Sequence, residues 1–121
     1  MTKQQFMAFS FPYGLKCIVN NQFGDKEIVE IDTISNEIIG GAGRYFNKYK
    51  SILYPLSDYE KFGLDISDEI AIIELIDNVN IIDNVRFGLI LNLISWHFDI
   101  AGLIEKGEAI DVNTFEINPY K

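Results

Sequence analysis

The stretch Asn84-Val-Arg-Phe-Gly-Leu-Ile-Leu-Asn-Leu-Ile-Ser-Trp-His-Phe98 constrains this chain most, because it carries more hydrocarbon than a surface segment can leave wet. On a helix turning about 100° per residue, Gly88, Asn92, Ser95 and Asp99 fall within roughly 60° of one another and nearly every other position is apolar. A helix of that kind is covered on most sides. Each large side chain in it gains about 1.5 to 3 kcal/mol on full burial, so the other segments are expected to pack around residues 84 to 98. The run is bounded by Asp83 and Asp99 and falls short of the roughly 20 mostly apolar residues that span a bilayer.

The 121 residues, 48% of them hydrophobic, suit one globular domain with a real core. Net charge is −8 and unevenly placed. The first fifty residues hold six cations against five carboxylates, whereas from Ser51 onward Lys61, Arg86, Lys106 and Lys121 face thirteen. Such a field repels phosphate backbones, which argues against direct nucleic-acid binding by the C-terminal half and favours a basic protein surface as partner. The one cysteine, Cys17, cannot form an internal disulfide, and no charged-then-apolar leader opens the chain, which points to a cytoplasmic address.

Along the chain, an aromatic-rich start (Phe6, Phe9, Phe11, Tyr13) ends in a Pro12-Tyr-Gly14 turn. Leu15 to Val19 predicts a first strand, Asn20 to Asp25 a hairpin loop, Glu27 to Ile34 a second strand, Ser35-Asn36 a turn and Glu37 to Ile39 a third, short strand. Gly40-Gly-Ala-Gly-Arg44 lacks both the dinucleotide fingerprint and the Gly-Lys-Ser/Thr of a P-loop, so it reads as a flexible turn into a short helical segment, Arg44 to Lys50. Ser51 to Leu56 is an extended connector. Ser57-Asp-Tyr-Glu60 has the form of a capping box for a short helix to Phe62, closed by Gly63. Ser67 is expected to cap a helix from Asp68 to Asp77 with Ile70, Ile73, Leu75 and Ile76 as its apolar face. Asn78-Val-Asn80 breaks that helix and Asp83 caps the central one. Glu108 to Asp111 is a brief edge strand, and Phe115, Ile117 and Tyr120 are spaced to dock the tail.

The chemistry-bearing residues are sparse. His97 is the only histidine, so no site built from two can form, and neither a metal nor a cofactor is implied. Its place on the apolar side of the helix predicts a core histidine bonded to Asp99 or to a backbone carbonyl; a small hydrolase or nuclease built on His97 is the enzymatic alternative. Cys17 reads as a small hydrophobe. Glu27, Glu30 and Asp32 lie on a candidate strand without the acidic-x-Lys pattern of a metal-dependent nuclease. Arg44, Lys48 and Lys50, interleaved with Tyr45, Phe46 and Tyr49, form the one basic cluster and the candidate contact for RNA or phosphate. Asp58, Glu60, Asp65, Asp68, Glu69, Glu74 and Asp77 form an exposed acidic face, the candidate surface for a protein partner.

Ile52-Leu-Tyr-Pro-Leu-Ser-Asp58 and Trp96-His-Phe-Asp-Ile-Ala-Gly-Leu-Ile-Glu-Lys-Gly-Glu-Ala-Ile-Asp-Val-Asn-Thr114 resemble segments of a group of small phage and prophage proteins of Bacteroidetes hosts. The resemblance covers about a quarter of the chain and implies a provenance, with no active site to carry over. Small acidic phage proteins commonly act by occupying a host protein, as inhibitors of CRISPR nucleases do. The expectation is therefore an α+β domain, a small N-terminal antiparallel sheet packed with a helical C-terminal half, that binds a host defence nuclease or its RNA-loaded form. A structural or homo-oligomeric phage accessory is the alternative outside enzymes.

Overall fold

A computed structural model of the chain describes residues 1–35, 38–78 and 85–121. The fold is α+β. Helix α1 (Lys3–Ser10) leads through a 3₁₀ turn, Phe11–Tyr13, into β1 (Lys16–Asn20) and β2 (Lys26–Glu30). A three-stranded meander follows, β3 (Thr33–Ser35), β4 (Ile38–Gly41) and β5 (Arg44–Phe46), and then β6 (Tyr49–Leu53). After a 3₁₀ segment, Leu56–Phe62, come α2 (Ile66–Asp77), α3 (Phe87–Ser95) and β7 (Ala109–Asp111). The strands form a sheet of order β2-β1-β6-β7 and a smaller one of order β3-β4-β5.

Helix α1 begins at a reciprocal cap that the sequence contains as Thr2-x-x-Gln5: the Thr2 hydroxyl accepts from Gln5 N–H, and Thr2 N–H donates back to the Gln5 side chain at 2.8 Å. It buries Phe6, Met7 and Ser10. The predicted first hairpin is present, with Cys17 opposite Val29 and Ile18 opposite Ile28. Asn21 holds its turn by accepting from Phe23 and Asp25 N–H. The predicted second strand divides: β2 stops at Glu30 and β3 starts at Thr33 in the other sheet. The third strand is β4, while Glu37 lies outside the described residues.

The expected helix from Arg44 to Lys50 is instead two strands. Ala42 and Gly43, both at positive φ, close a two-residue hairpin that pairs Gly41 with Arg44, and Tyr49 to Leu53 then runs antiparallel to β1. Aromatic and β-branched residues fit a pleated surface, and here they outweigh the weak helical spacing. Between Leu56 and Phe62 the Ser57 capping box does not form. The segment winds as 3₁₀, whose period of three puts Leu56, Tyr59 and Phe62 on one side, packed on the core.

The central helix is shorter and more one-sided than its composition suggests. Leu89, Ile90, Leu93 and Ile94 are buried, but Phe87 is 73% exposed. It ends because Trp96 and His97 turn the chain: His97 adopts φ +66°, its N–H bonds Ile94 O at 3.0 Å, and Phe98 N–H bonds Leu93 O at 2.9 Å. That pair of bonds satisfies the last carbonyls of a helix whose next residue is left-handed. The returning chain lies against Tyr54, with Tyr54 N–H on His97 O and Asp99 N–H on Tyr54 O. The Asp99 carboxylate, 5% exposed, then accepts from Leu103 and Ile104 N–H at 2.8 and 2.9 Å. Burial pushes the Asp99 carboxyl up, against the lowering effect of those N–H groups.

The predicted edge strand is β7, parallel to β6 and at the edge of the larger sheet. The tail docks through Tyr120, whose hydroxyl donates to Ile52 O at 2.7 Å and accepts from Lys16 N–H at 2.9 Å. Phe115 also packs on the core, but Ile117 is 81% exposed and docks nothing. Cys17 is fully buried, and burial lifts its thiol to about 12. Among the described residues, no helix is long and apolar enough to cross a membrane.

Candidate functional site

Helix α2 carries the surface that the acidic residues of the sequence define. It is capped by Asp65, not by Ser67: the Asp65 carboxylate accepts from Asp68 N–H at 2.9 Å and from the Ser67 hydroxyl at 2.8 Å. Those bonds, the one from Asp68 N–H first, hold the Asp65 carboxyl below its ordinary range. The helix then starts at Ile66, with Asp68 and Glu69 in the first turn, where negative charge suits its dipole.

The core side of α2 is Ile72 and Leu75, both fully buried. This overturns the expected apolar face. Of its four residues only Leu75 points inward; Ile70, Ile73 and Ile76 are 53%, 45% and 41% exposed, and Ile66 at the helix start is 75% exposed. At about 100° per residue, Ile66, Ile70, Ile73 and Asp77 share an outward arc of roughly 60°. Glu69 and Glu74 flank it. An outer stripe of isoleucines bordered by carboxylates is the pattern of a helix that has covered one apolar face and left a second open.

The seven carboxylates proposed for a partner divide by what they already hold. Asp58 pairs with Lys61 at 3.3 Å and accepts from the Asn113 amide; Asp65 is the helix cap; Asp68 pairs with Arg86 at 3.1 Å. Glu74, Asp77 and Glu60 are exposed, and Glu69 is half-buried. Desolvation, and then the charges of Glu60 and Glu69, raise the Tyr59 phenol above its ordinary pKa.

The basic cluster does not assemble as the sequence suggests. Arg44 forms an ion pair with Glu27 and lies over the Phe46 ring, its carbon 5.4 Å from the centroid. Lys48 and Lys50 instead face a groove of about 420 Å³ that they share with Lys3 and Lys26.

His97 is held as a structural group. Its Nε2–H donates to Tyr13 O at 2.8 Å, and its ring stacks on Tyr120 with centroids 4.1 Å apart and planes at 10°. The backbone-carbonyl partner is the second of the two expected; Asp99 is occupied by Leu103 and Ile104 N–H. Burial is the largest influence on the imidazole and lowers its pKa. The nearby Ser95 hydroxyl donates back to Asn92 O at 2.8 Å. Among the described residues no three His, Cys, Asp or Glu side chains gather closely enough to hold a metal ion. No family model matches the chain, and comparisons with curated proteins and with solved structures find no match.

Proposed function

We propose that this chain is a non-enzymatic phage or prophage accessory protein, acting in the host cytoplasm, that docks the outer face of α2 onto a basic host protein. A defence nuclease, in the manner of an anti-CRISPR, is the partner class. The observation that carries the reading is the stripe Ile66, Ile70 and Ile73, open to water, flanked by Glu69 and Glu74 and ending at Asp77. Its apolar centre supplies the burial that makes a helix-in-groove contact hold, and its acidic rim selects a cationic groove. Nucleases carry such grooves for their nucleic acid. The same rim disfavours self-pairing through α2, because two copies would set like charges against each other.

Affinity capture from a host lysate with wild-type protein and the Ile70→Lys/Ile73→Lys variant as parallel baits tests this. The expected result is a nuclease held by the first bait, lost from the second and released as salt rises toward about 0.5 M, where charges are screened within a few ångströms. Retention of the same proteins by both baits overturns the reading. So does a wild-type protein that is a stable dimer in sedimentation while the variant is a monomer, which instead supports the homo-oligomeric accessory.

A further inference from the structure

The groove at the end of the larger sheet carries a second, independent inference. Lys3 reaches it from α1, Lys26 from the start of β2, Lys48 from the β5–β6 turn and Lys50 from β6. Asn20 and Asn47 add to its polar lining, and among the described residues no carboxylate lines it, although the chain has 18 acidic residues against 10 basic ones. Each charged Arg–carboxylate or Lys–carboxylate contact elsewhere lies outside the groove: among the described residues the ion pairs are Arg44–Glu27, Lys61–Asp58 and Arg86–Asp68. Lys3 is oriented without being neutralised, its ammonium donating to Tyr49 O at 3.1 Å and lying 4.2 Å from the Tyr49 ring centroid. Four cations collected from separate elements repel one another, and an acidic chain had carboxylates enough to pair them. The arrangement leaves the charge available to an external anion.

We infer that this groove binds the phosphate backbone of single-stranded nucleic acid. The four lysines come from separate places in the chain and line an open groove of about 420 Å³, which offers room for successive phosphates of a strand. Phe23 stands in the turn that joins the groove residues Asn20 and Lys26 and is 78% exposed, a ring open to stack a base. The asparagine amides offer donors and acceptors to base edges or to a 2′-hydroxyl.

Fluorescence anisotropy with short labelled RNA and DNA single strands tests the inference on the whole chain. Binding is expected with a slope of roughly −2 to −3 in log K against log salt, since each neutralised phosphate of a single strand contributes about −0.7. Lys26→Glu/Lys50→Glu should weaken it by a factor of ten or more, about the loss of two charge contacts. Lys26→Arg/Lys50→Arg should retain it, and Phe23→Ala should cost about fivefold or more if a base stacks there. No anisotropy change up to about 100 µM protein at low salt, the weak limit of sequence-independent binding, overturns the inference. So does undiminished binding by the Glu variant with a native circular dichroism spectrum. Displacement of the strand by duplex or by inorganic pyrophosphate at equal phosphate concentration overturns the single-strand assignment. The uncharged α2 variant Ile70→Ser/Ile73→Ser is expected to leave this binding unchanged, which separates it from the docking function.

Discussion

His97 shows two demands meeting at one residue. Its backbone must be left-handed to end α3, a conformation that costs an L-residue about 1 to 2 kcal/mol, while its ring must bond Tyr13 O and stack on Tyr120. Glycine meets the first demand and alanine neither. His97→Gly is therefore expected to be less destabilising than His97→Ala by about 1 kcal/mol in urea unfolding, although glycine keeps none of the ring's contacts. Equal losses would mean that the backbone carries no strain. The ring also sets a pH dependence. Its folded pKa is lowered by burial, so above an unfolded value of about 6.5 both states are neutral and nothing is gained or lost. Below that value the unfolded chain takes the proton first, and stability falls as pH drops toward the folded pKa. The expected outcome is a wild-type urea midpoint that declines between about pH 7.5 and 5.5 more than that of His97→Asn, whose side chain tolerates the left-handed region and does not titrate. Of this, the need for a hydrogen-bond partner was legible in the sequence, because a lone histidine among apolar residues needs one, but the choice of Tyr13 O over Asp99 was not. The positive φ was not, since glycine is the usual signal for it.

Helix α2 explains why periodicity located an element and misjudged its orientation. Ile66, Ile70, Ala71, Ile72, Ile73, Leu75 and Ile76 place apolar side chains around most of the helix, and a pattern apolar on two faces does not say which is inside. The inside was decided by long-range packing: Ile72 and Leu75 belong to the core shared with α1 and the sheet. The two faces should therefore answer oppositely to the same change. Ile72→Ala is expected to cost about 2 to 5 kcal/mol and Ile73→Ala to stay within about 0.5 kcal/mol, both measured by chemical denaturation. Comparable losses at the two positions would mean that the isoleucine stripe is covered in the folded protein, and the docking surface would go with it. The misread helix at Arg44 to Lys50 has the same origin. Seven residues hold too few turns to reveal a period, and what fixed them as strands was the turn at Ala42-Gly43 that pairs Arg44 to Phe46 with β4, and the distant partner β1, whose Val19 and Ile18 meet Tyr49 and Lys50. The α1 cap, by contrast, was open to reading in Thr2 and Gln5.

At the scale of the molecule, the lysines of the proposed groove come together only through topology. Lys3 and Lys26 reach Lys48 and Lys50 because β1 pairs with both β2 and β6, a register that no local pattern of charge announces. The C-terminal tail depends on the same convergence. The Tyr120 hydroxyl takes the Lys16 N–H at the start of β1 and gives its proton to Ile52 O on β6, while Asn118 donates to the Tyr54 hydroxyl at 2.7 Å. Burial and the neighbouring groups keep the Tyr120 phenol protonated, its pKa raised well above the ordinary value. Tyr120→Phe keeps the stack on His97 and leaves one donor and one acceptor of the sheet without their partner, so it is expected to cost about 1 to 3 kcal/mol. Deleting residues 118–121 removes the stack, the Asn118 bond and the Lys16 contact to Pro119 O as well, and should cost more than the point change. Urea unfolding of the three proteins checks the order. If the deletion costs no more than Tyr120→Phe, the tail contributes one hydroxyl and little else; if it costs more, the last four residues clamp β1 to β6 through the ring stack and the Asn118 and Pro119 contacts as well.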